Sequence, residues 1–469
     1  FSKLVDKKET RYQVVAKTVT RTQAQLIKKR QLKGIGFQAE SRRVYPEKKL
    51  AAQTLGFVNF EGNGQYGIEG MFDKELKGKN GLLQSVTDVS NVPLTIGNKN
   101  IDLPAQDGRN IVLTLDRNIQ AYSEQALARG VKRSGADSGS VIVMDPNTGK
   151  VLAMSSLPTY DPSKYNVVTN AQAFNLGAVN NPYEPGSVMK TFTMATGIDT
   201  GAVKPSSTYV NTDYIKVEDR TITNASKGET GTITFQHALN WSLNTGMVTV
   251  AERLGNGTID SKARSTMYRY LHDKFKLGEL TGIEVSGEAA GRIIAPDEAD
   301  GNAVRYSNMT FGQGMDLTMV QVAAGFGAMV NGGTYYSPTV IEGAVDKDGQ
   351  LVKAAPKPAQ PNVISPSTSS QMRDMVIKAR RAFYASSDLP GYRVGGKTGT
   401  SQTIVNGSYE NGQTIATYLG FGGDTKPRYV IMVEVSGKGK NLAGNIDAMP
   451  IFTDISNWTI DYLKLQPQR

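Results

Sequence analysis

Pro185 and Gly186, followed by the unbroken run Ser187-Val188-Met189-Lys190-Thr191-Phe192-Thr193-Met194-Ala195, dictate a tight turn that opens directly into a helix. Such a start leaves its first N–H groups unpaired and its dipole positive, which favours negative charge developing near Ser187. Lys190 lies three residues on, almost one turn, and so shares a helix face with Ser187. Its amine can take the serine proton provided that the amine is neutral. Burial and a second cation both lower a lysine pKa, and Lys397 is the candidate for that cation. Taken singly, Ser187 reads as a helix N-cap and Lys190 as a solvated surface lysine. Two later segments reverse that balance.

The first of them is Ser242-Leu243-Asn244, on a helix expected over 234–245 with Thr234 as its N-cap and Gly246 at its end. Ser242 can relay a proton between the lysine and a leaving group, and Asn244 can hydrogen-bond a substrate amide. The second is Lys397-Thr398-Gly399-Thr400, on a strand expected over 392–402 whose edge can hold an extended peptide by main-chain pairing. Lys397 supplies charge for a carboxylate, and Gly399 permits close approach of a substrate. Each segment alone also fits a polar helix end or a Gly-rich strand end. Together, in this order, the three describe serine acyl transfer without histidine.

Other chemistries fare worse. The chain has no cysteine, which excludes disulfides and thiolate zinc sites, and its two histidines, His237 and His272, are isolated. No Gly-x-Ser-x-Gly elbow surrounds a serine, and Asp297-Glu298 sits in a Pro-flanked loop as a solvated pair. At 469 residues and 39% apolar content the chain can build at least two cores. Its net charge of +10 is concentrated at the start: the first fifty residues hold 14 basic and 4 acidic side chains, and the rest balance at 39 each. Without aromatic interleaving or a binding motif, this segment does not read as a nucleic-acid surface. Anionic lipid head groups or wall polymers suit it better, beside the plainer reading of a solvated face.

Taken together, the segments resemble a class B high-molecular-weight penicillin-binding protein, a monofunctional peptidoglycan D,D-transpeptidase. The likeness extends to Asn110 through Gln120, to the hairpin segment Gly139 through Gly149, to Phe311-Gly312-Gln313-Gly314 and to Asn331-Gly332-Gly333. Upstream, Arg43-Val44-Tyr45-Pro46 and Gly67-Ile68-Glu69-Gly70 are similar to the family's N-terminal pedestal. The resemblance implies Ser187 as the acylated nucleophile, Lys190 as its base, and Ser242 with Asn244 as the second wall of the cleft. It implies Lys397, Thr398, Gly399 and Thr400 as the ridge that binds a substrate or β-lactam carboxylate. The backbone N–H groups of Ser187 and Thr400 would form the oxyanion hole. No cofactor or metal is implied. The implied partners are peptidoglycan stem peptides, β-lactams, a polytopic glycan-polymerising membrane protein and elongation or division proteins.

The same resemblance implies an α+β fold: a serine transpeptidase domain over 109–469, with helices flanking an antiparallel sheet, and an elongated α+β pedestal over 1–108. Expected helices are 20–32, 117–130, 187–200, 234–245, 317–331 and 367–384. Expected strands are 139–155, 392–402, 419–421 and 429–435, with a Gly-rich hairpin over 57–70, a connection over 91–108 and a surface interval over 354–366. Three departures stand out. No run approaches the ~18–20 apolar residues of a membrane span, and no signal peptide is visible, so Phe1 is read as the start of a trimmed, membrane-anchored ectodomain. The segment Tyr418 through Asp424 lacks an expected proline, and Trp241 is bulkier than expected beside Ser242. The rivals are a β-lactam sensor or division scaffold, and a β-lactamase. A class A β-lactamase needs a carboxylate to activate deacylating water, and this chain has no Glu-x-x-Leu-Asn segment after Ser242; Asn244 stands where a class D enzyme has valine.

Overall fold

The structure is a computed structural model that describes residues 12–17, 19–38, 40–84, 101–357, 359–405 and 408–467. It divides into two compact units, Phe1–Arg43 and Val44–Arg469. In the first, a helix spans Arg21–Lys28 within the expected 20–32. Thr20 caps it, and Gln23 completes a capping box by bonding back to the Thr20 backbone. This helix buries no residue.

The second unit is built on a five-stranded antiparallel sheet. Its strands are β1 (Ser138–Met144), β2 (Val151–Leu157), β3 (Arg393–Val405), β4 (Ser408–Gly423) and β5 (Pro427–Ser436), in spatial order β3-β4-β5-β1-β2. Seven helices matter for the site. They are α1 (Arg117–Ser134), α2 (Lys190–Asp199), α3 (Phe235–Asn240), α4 (Asn244–Leu254), α5 (Met319–Val330), α6 (Pro366–Tyr384) and α7 (Met449–Tyr462).

The central strands read as nearly continuous apolar runs because both sheet faces are covered. Val141, Val143, Ile431 and Val433 pack with Ile119, Leu127, Ile451 and Phe452 of α1 and α7. Their alternating neighbours Ile142, Met144, Val430 and Met432 join a second cluster with Phe192 of α2 and Phe326 of α5. Each fully buried side chain of this size contributes about 1.5–3 kcal/mol. The far edge at β2 is closed by side chains: Gln53 Nε2 donates to Ser156 O at 3.0 Å, and Thr54 Oγ1 to Met154 O at 3.1 Å.

Most expected elements form, with revisions. The 57–70 hairpin is real, pairing Phe57–Val58 with Gly64–Gln65, but its tail is helical over Gly67–Met71. The strand expected at 419–421 is part of the much longer β4, and the turn after it is closed by Asp424 Oδ1, which accepts from Lys426 N. The helix expected over 234–245 is two helices, and Gly246 lies inside the second. A side chain at Gly246 would meet Ala238 Cβ at 2.7 Å, so this glycine serves close helix packing and not termination. The expected connection over 91–108 begins in residues outside those described.

Candidate active site

Pro185-Gly186 makes the expected turn. Gly186 has φ +64°, and a Cβ there would lie 2.9 Å from Thr400 O, so both conformation and space require glycine. A short 3-10 turn over Gly186–Met189 runs directly into α2, which puts Ser187 at the helix start. Ser187 is half-buried, and among the described residues its Oγ has no hydrogen bond. It does not cap the helix.

Lys190 is 1% exposed. Its Nζ donates to the Ser242 carbonyl and, at 3.1 Å, to Ser242 Oγ. Lys397 Nζ donates to the same Oγ at 2.9 Å and to Thr398 Oγ1 at 3.2 Å. Burial, and then the charge of Lys397, hold Lys190 well below the ordinary lysine range. Burial alone lowers Lys397 to about 7. The expected cation beside Lys190 is therefore in place. Lys397 is 4% exposed and lines the cleft, its Nζ held by the Ser242 and Thr398 hydroxyls.

Ser242 occupies the break between α3 and α4, in the left-handed region at φ +57°. Leu243 anchors the break: it is buried, and its N–H bonds to Ala238 O at 2.8 Å. Asn244 opens α4 with its Nδ2 on Thr223 O at 2.8 Å, so one amide donor already has a partner. Behind it, Thr245 N donates to Asn224 Oδ1 at 3.0 Å, and Asn224 Nδ2 donates to Asn211 Oδ1 at 3.1 Å. Both asparagines are buried, and this network holds the start of α4 against the loop that brings Ala225 and Ser226 to the cleft.

On β3, Thr398 and Thr400 line the cleft, and the Thr400 hydroxyl accepts from Gly444 N at 3.1 Å. Gly399 faces elsewhere: a Cβ there would sit 2.1 Å from Thr417 Oγ1 and 2.9 Å from Pro185 O. It is needed so that β3 can approach the turn carrying Ser187, a packing demand beside the substrate approach expected of it.

The cleft encloses about 550 Å3 and gathers Ser187, Lys190, Ser242, Asn244, Lys397, Thr398 and Thr400. The sequence reading did not assign Phe383, Tyr384, Gln313 or Asn445 to it. Phe383 and Tyr384 end α6, where a helix C-terminus carries no sequence mark of a cleft. Trp241 packs edge-to-face on Phe383, with centroids 5.0 Å apart, so its bulk builds the wall and does not fill the floor. His237 Nε2 pairs with Glu229 at 2.6 Å, and His272 Nδ1 lies 2.9 Å from Asp273, so neither histidine lines the cleft. Among the described residues no cluster of His, Asp or Glu could hold a metal ion, and no helix is long and apolar enough to cross a membrane.

This geometry supports one chemistry: an unbonded serine hydroxyl at a helix start, sharing a cleft with an amine whose pKa burial lowers and with the hydroxyl that this amine bonds. Comparison with known proteins points the same way. Residues 139–457 match the penicillin binding protein transpeptidase domain, and residues 1–113 the penicillin-binding protein dimerisation domain. Stage V sporulation protein D of Bacillus subtilis is 31% identical over 96% of this chain and 69% of its own length. Penicillin-binding protein PbpB of Mycobacterium tuberculosis is 30% identical over 90% of this chain, which spans 62% of that relative. Among solved structures, penicillin binding protein 3 of the same organism, complexed with aztreonam, is 28% identical with a TM-score of 0.77, covering 90% of this chain and 91% of that one.

Proposed function

The chain belongs to the class B penicillin-binding proteins, and from that premise we propose that it cross-links peptidoglycan by D,D-transpeptidation through an acyl-enzyme on Ser187. Ser187 Oγ attacks the penultimate D-Ala carbonyl of a stem peptide. Lys190 takes the hydroxyl proton, and Ser242 passes it to the departing D-Ala amine. A second stem's amine then attacks the ester, its proton returns to Ser187, and the amide cross-link is released. Splitting the transfer in two lowers each barrier. Thr398 and Thr400 bind the donor carboxylate in the field of Lys397, and the N–H groups of Ser187 and Thr400 receive the oxyanion. A β-lactam follows the first half-reaction and remains as the ester.

The observation that carries this reading is the meeting of Lys190 and Lys397 on Ser242 Oγ in the cleft that holds Ser187. It is the arrangement that keeps an amine neutral beside an alcohol. We further assign residues 1–108 to a non-catalytic pedestal and 109–469 to the transpeptidase domain. A membrane anchor, an extracytoplasmic active site and a glycan-polymerising membrane partner follow from the family.

Labelled benzylpenicillin tests the assignment. The label should remain on the wild-type protein for hours and be absent from a folded Ser187→Ala variant. Rapid release would indicate a β-lactamase, and labelling of the variant at another residue would overturn the site.

A further inference from the structure

The guanidinium of Arg380, in the C-terminal part of α6, is wholly buried, and the acylation chemistry gives it no task. Its Nε donates to both carboxylate oxygens of Asp388, at 3.0 and 2.8 Å. Nη2 donates to Asp388 Oδ1 at 2.6 Å and to Thr453 Oγ1 of α7 at 2.8 Å. Nη1 donates to the Tyr418 hydroxyl of β4 at 2.6 Å. The group lies 5.0 Å from the centre of the Phe452 ring, in the apolar layer between the sheet and α7.

Stability alone does not call for an ion pair here, because apolar side chains of similar volume hold such a place as well or better. What the planar fork adds is direction: it ties α6 and the turn after it to β4 and α7 at once. Two of these ties bear on β3. Asp388 stands five residues before Arg393, where β3 begins. Tyr418 faces Thr398 across the β3–β4 ladder, and its ring fills the side-chain place of Gly396. A Cβ at Gly396 would meet Tyr418 Cε1 at 2.6 Å and the hydroxyl oxygen at 2.7 Å. The oxygen that Arg380 holds therefore rests on the main chain immediately before Lys397.

We propose that Arg380 is a positioning residue for ligand capture: through Tyr418 and Asp388 it fixes the stretch Gly396–Thr398 of β3, and with it the Thr398 hydroxyl and Lys397 amine that meet the ligand carboxylate. This rests on the proposed serine acylation and adds to it a residue that touches neither ligand nor reacting atoms. Thr400 is held independently, by Gly444 N on its hydroxyl and by the close approach of Gly186, so the oxyanion side of the cleft is spared.

Stopped-flow acylation by benzylpenicillin separates the dissociation constant of the first complex from the first-order acylation step. Arg380→Met with Asp388→Leu removes both charges together, leaving no unpaired buried ion and no change in net charge. This double variant should bind benzylpenicillin about 3- to 10-fold more weakly, the worth of one hydrogen bond, with the first-order step nearly unchanged. Arg380→Lys keeps a charge beside Asp388 without the fork and should not restore binding. Tyr418→Phe keeps the ring and the ion pair, removes only the hydroxyl, and should weaken the same constant; it carries the test alone if the double variant does not fold. A variant that melts earlier but binds as wild type, or a loss confined to the first-order step, would overturn the inference. Failure of the wild-type protein to be acylated would instead sink the underlying enzyme assignment.

Discussion

Lys190 and Lys397 converge on one oxygen, their Nζ atoms lying 3.1 and 2.9 Å from Ser242 Oγ. Two ammonium charges held on one oxygen repel, which lowers the affinity of the pair for its second proton. Lys190 is the more deeply affected, since desolvation and its neighbour act in the same direction. Replacing it with methionine should slow penicillin acylation by about 10²–10⁴-fold while the melting temperature holds or rises. Acylation within threefold of wild type, followed by stopped flow, would remove Lys190 from the role of base.

Lys397, held at about 7, loses its charge between pH 6 and 8, so capture of an anionic β-lactam should weaken as pH rises through that window. Up to the ordinary lysine value of 10.5 the unfolded chain binds this proton and the fold does not, so wild-type stability should rise with pH relative to Lys397→Met from about 7 to 10. Parallel profiles for the two proteins, in acylation and in melting, would show that Lys397 is not the titrating group.

A second titration lies under the turn that carries the serine. Glu434 on β5 pairs across the sheet with Ser140 and Thr417, and burial pushes its carboxyl up to about 7 from 4.5 against a smaller opposing pull from Ser436. The fold binds this proton more tightly than the unfolded chain, so its contribution is full at low pH and lost as pH rises from about 4.5 to 7. Glu434→Gln cannot ionise, and its melting temperature should gain on wild type as pH goes from 5 to 8. A constant difference across that range would place the carboxyl in contact with solvent.

Gly399→Ala should impair the site through sterics. The added methyl meets Thr417 Oγ1 and Pro185 O, and overpacking of this kind costs about 1–3 kcal/mol and moves β3 off the serine turn. Removing the Thr417 hydroxyl in a Gly399→Ala, Thr417→Ala double variant should restore part of the lost acylation. Strictly additive losses would place the Gly399 requirement on the ligand side of the strand.

Spacing along the chain was enough to predict the turn at Pro185 and the shared cleft of Ser187 and Lys190, because both depend on local geometry, whereas Lys397 was found through the Lys-Thr-Gly-Thr motif. Two helices escaped it for physical reasons. In α4, Gly246 carries the signature of a helix end, yet it is buried where α4 meets Ala238 of α3. In α7, Thr453, Ile455 and Thr459 have low helix propensity, and tertiary packing of Ile451, Phe452, Ile455 and Ile460 against the sheet overrides it. Gln313 was visible as part of a motif, but its place in the cleft depends on Gly186 N and the Glu184 carboxylate, both distant in sequence. The packing demand on Gly399 was not legible because the space beside a strand is set by what folds against it.

The stacking of Gly312 on Gly186, and of Gly186 on Thr400, puts main chain against main chain, with no side chain between the layers that locate the serine. Alignment of the reacting alcohol is thus inherited from polypeptide geometry alone. Erosion of the surrounding hydrophobic interior should make the enzyme melt earlier long before it makes it aim badly.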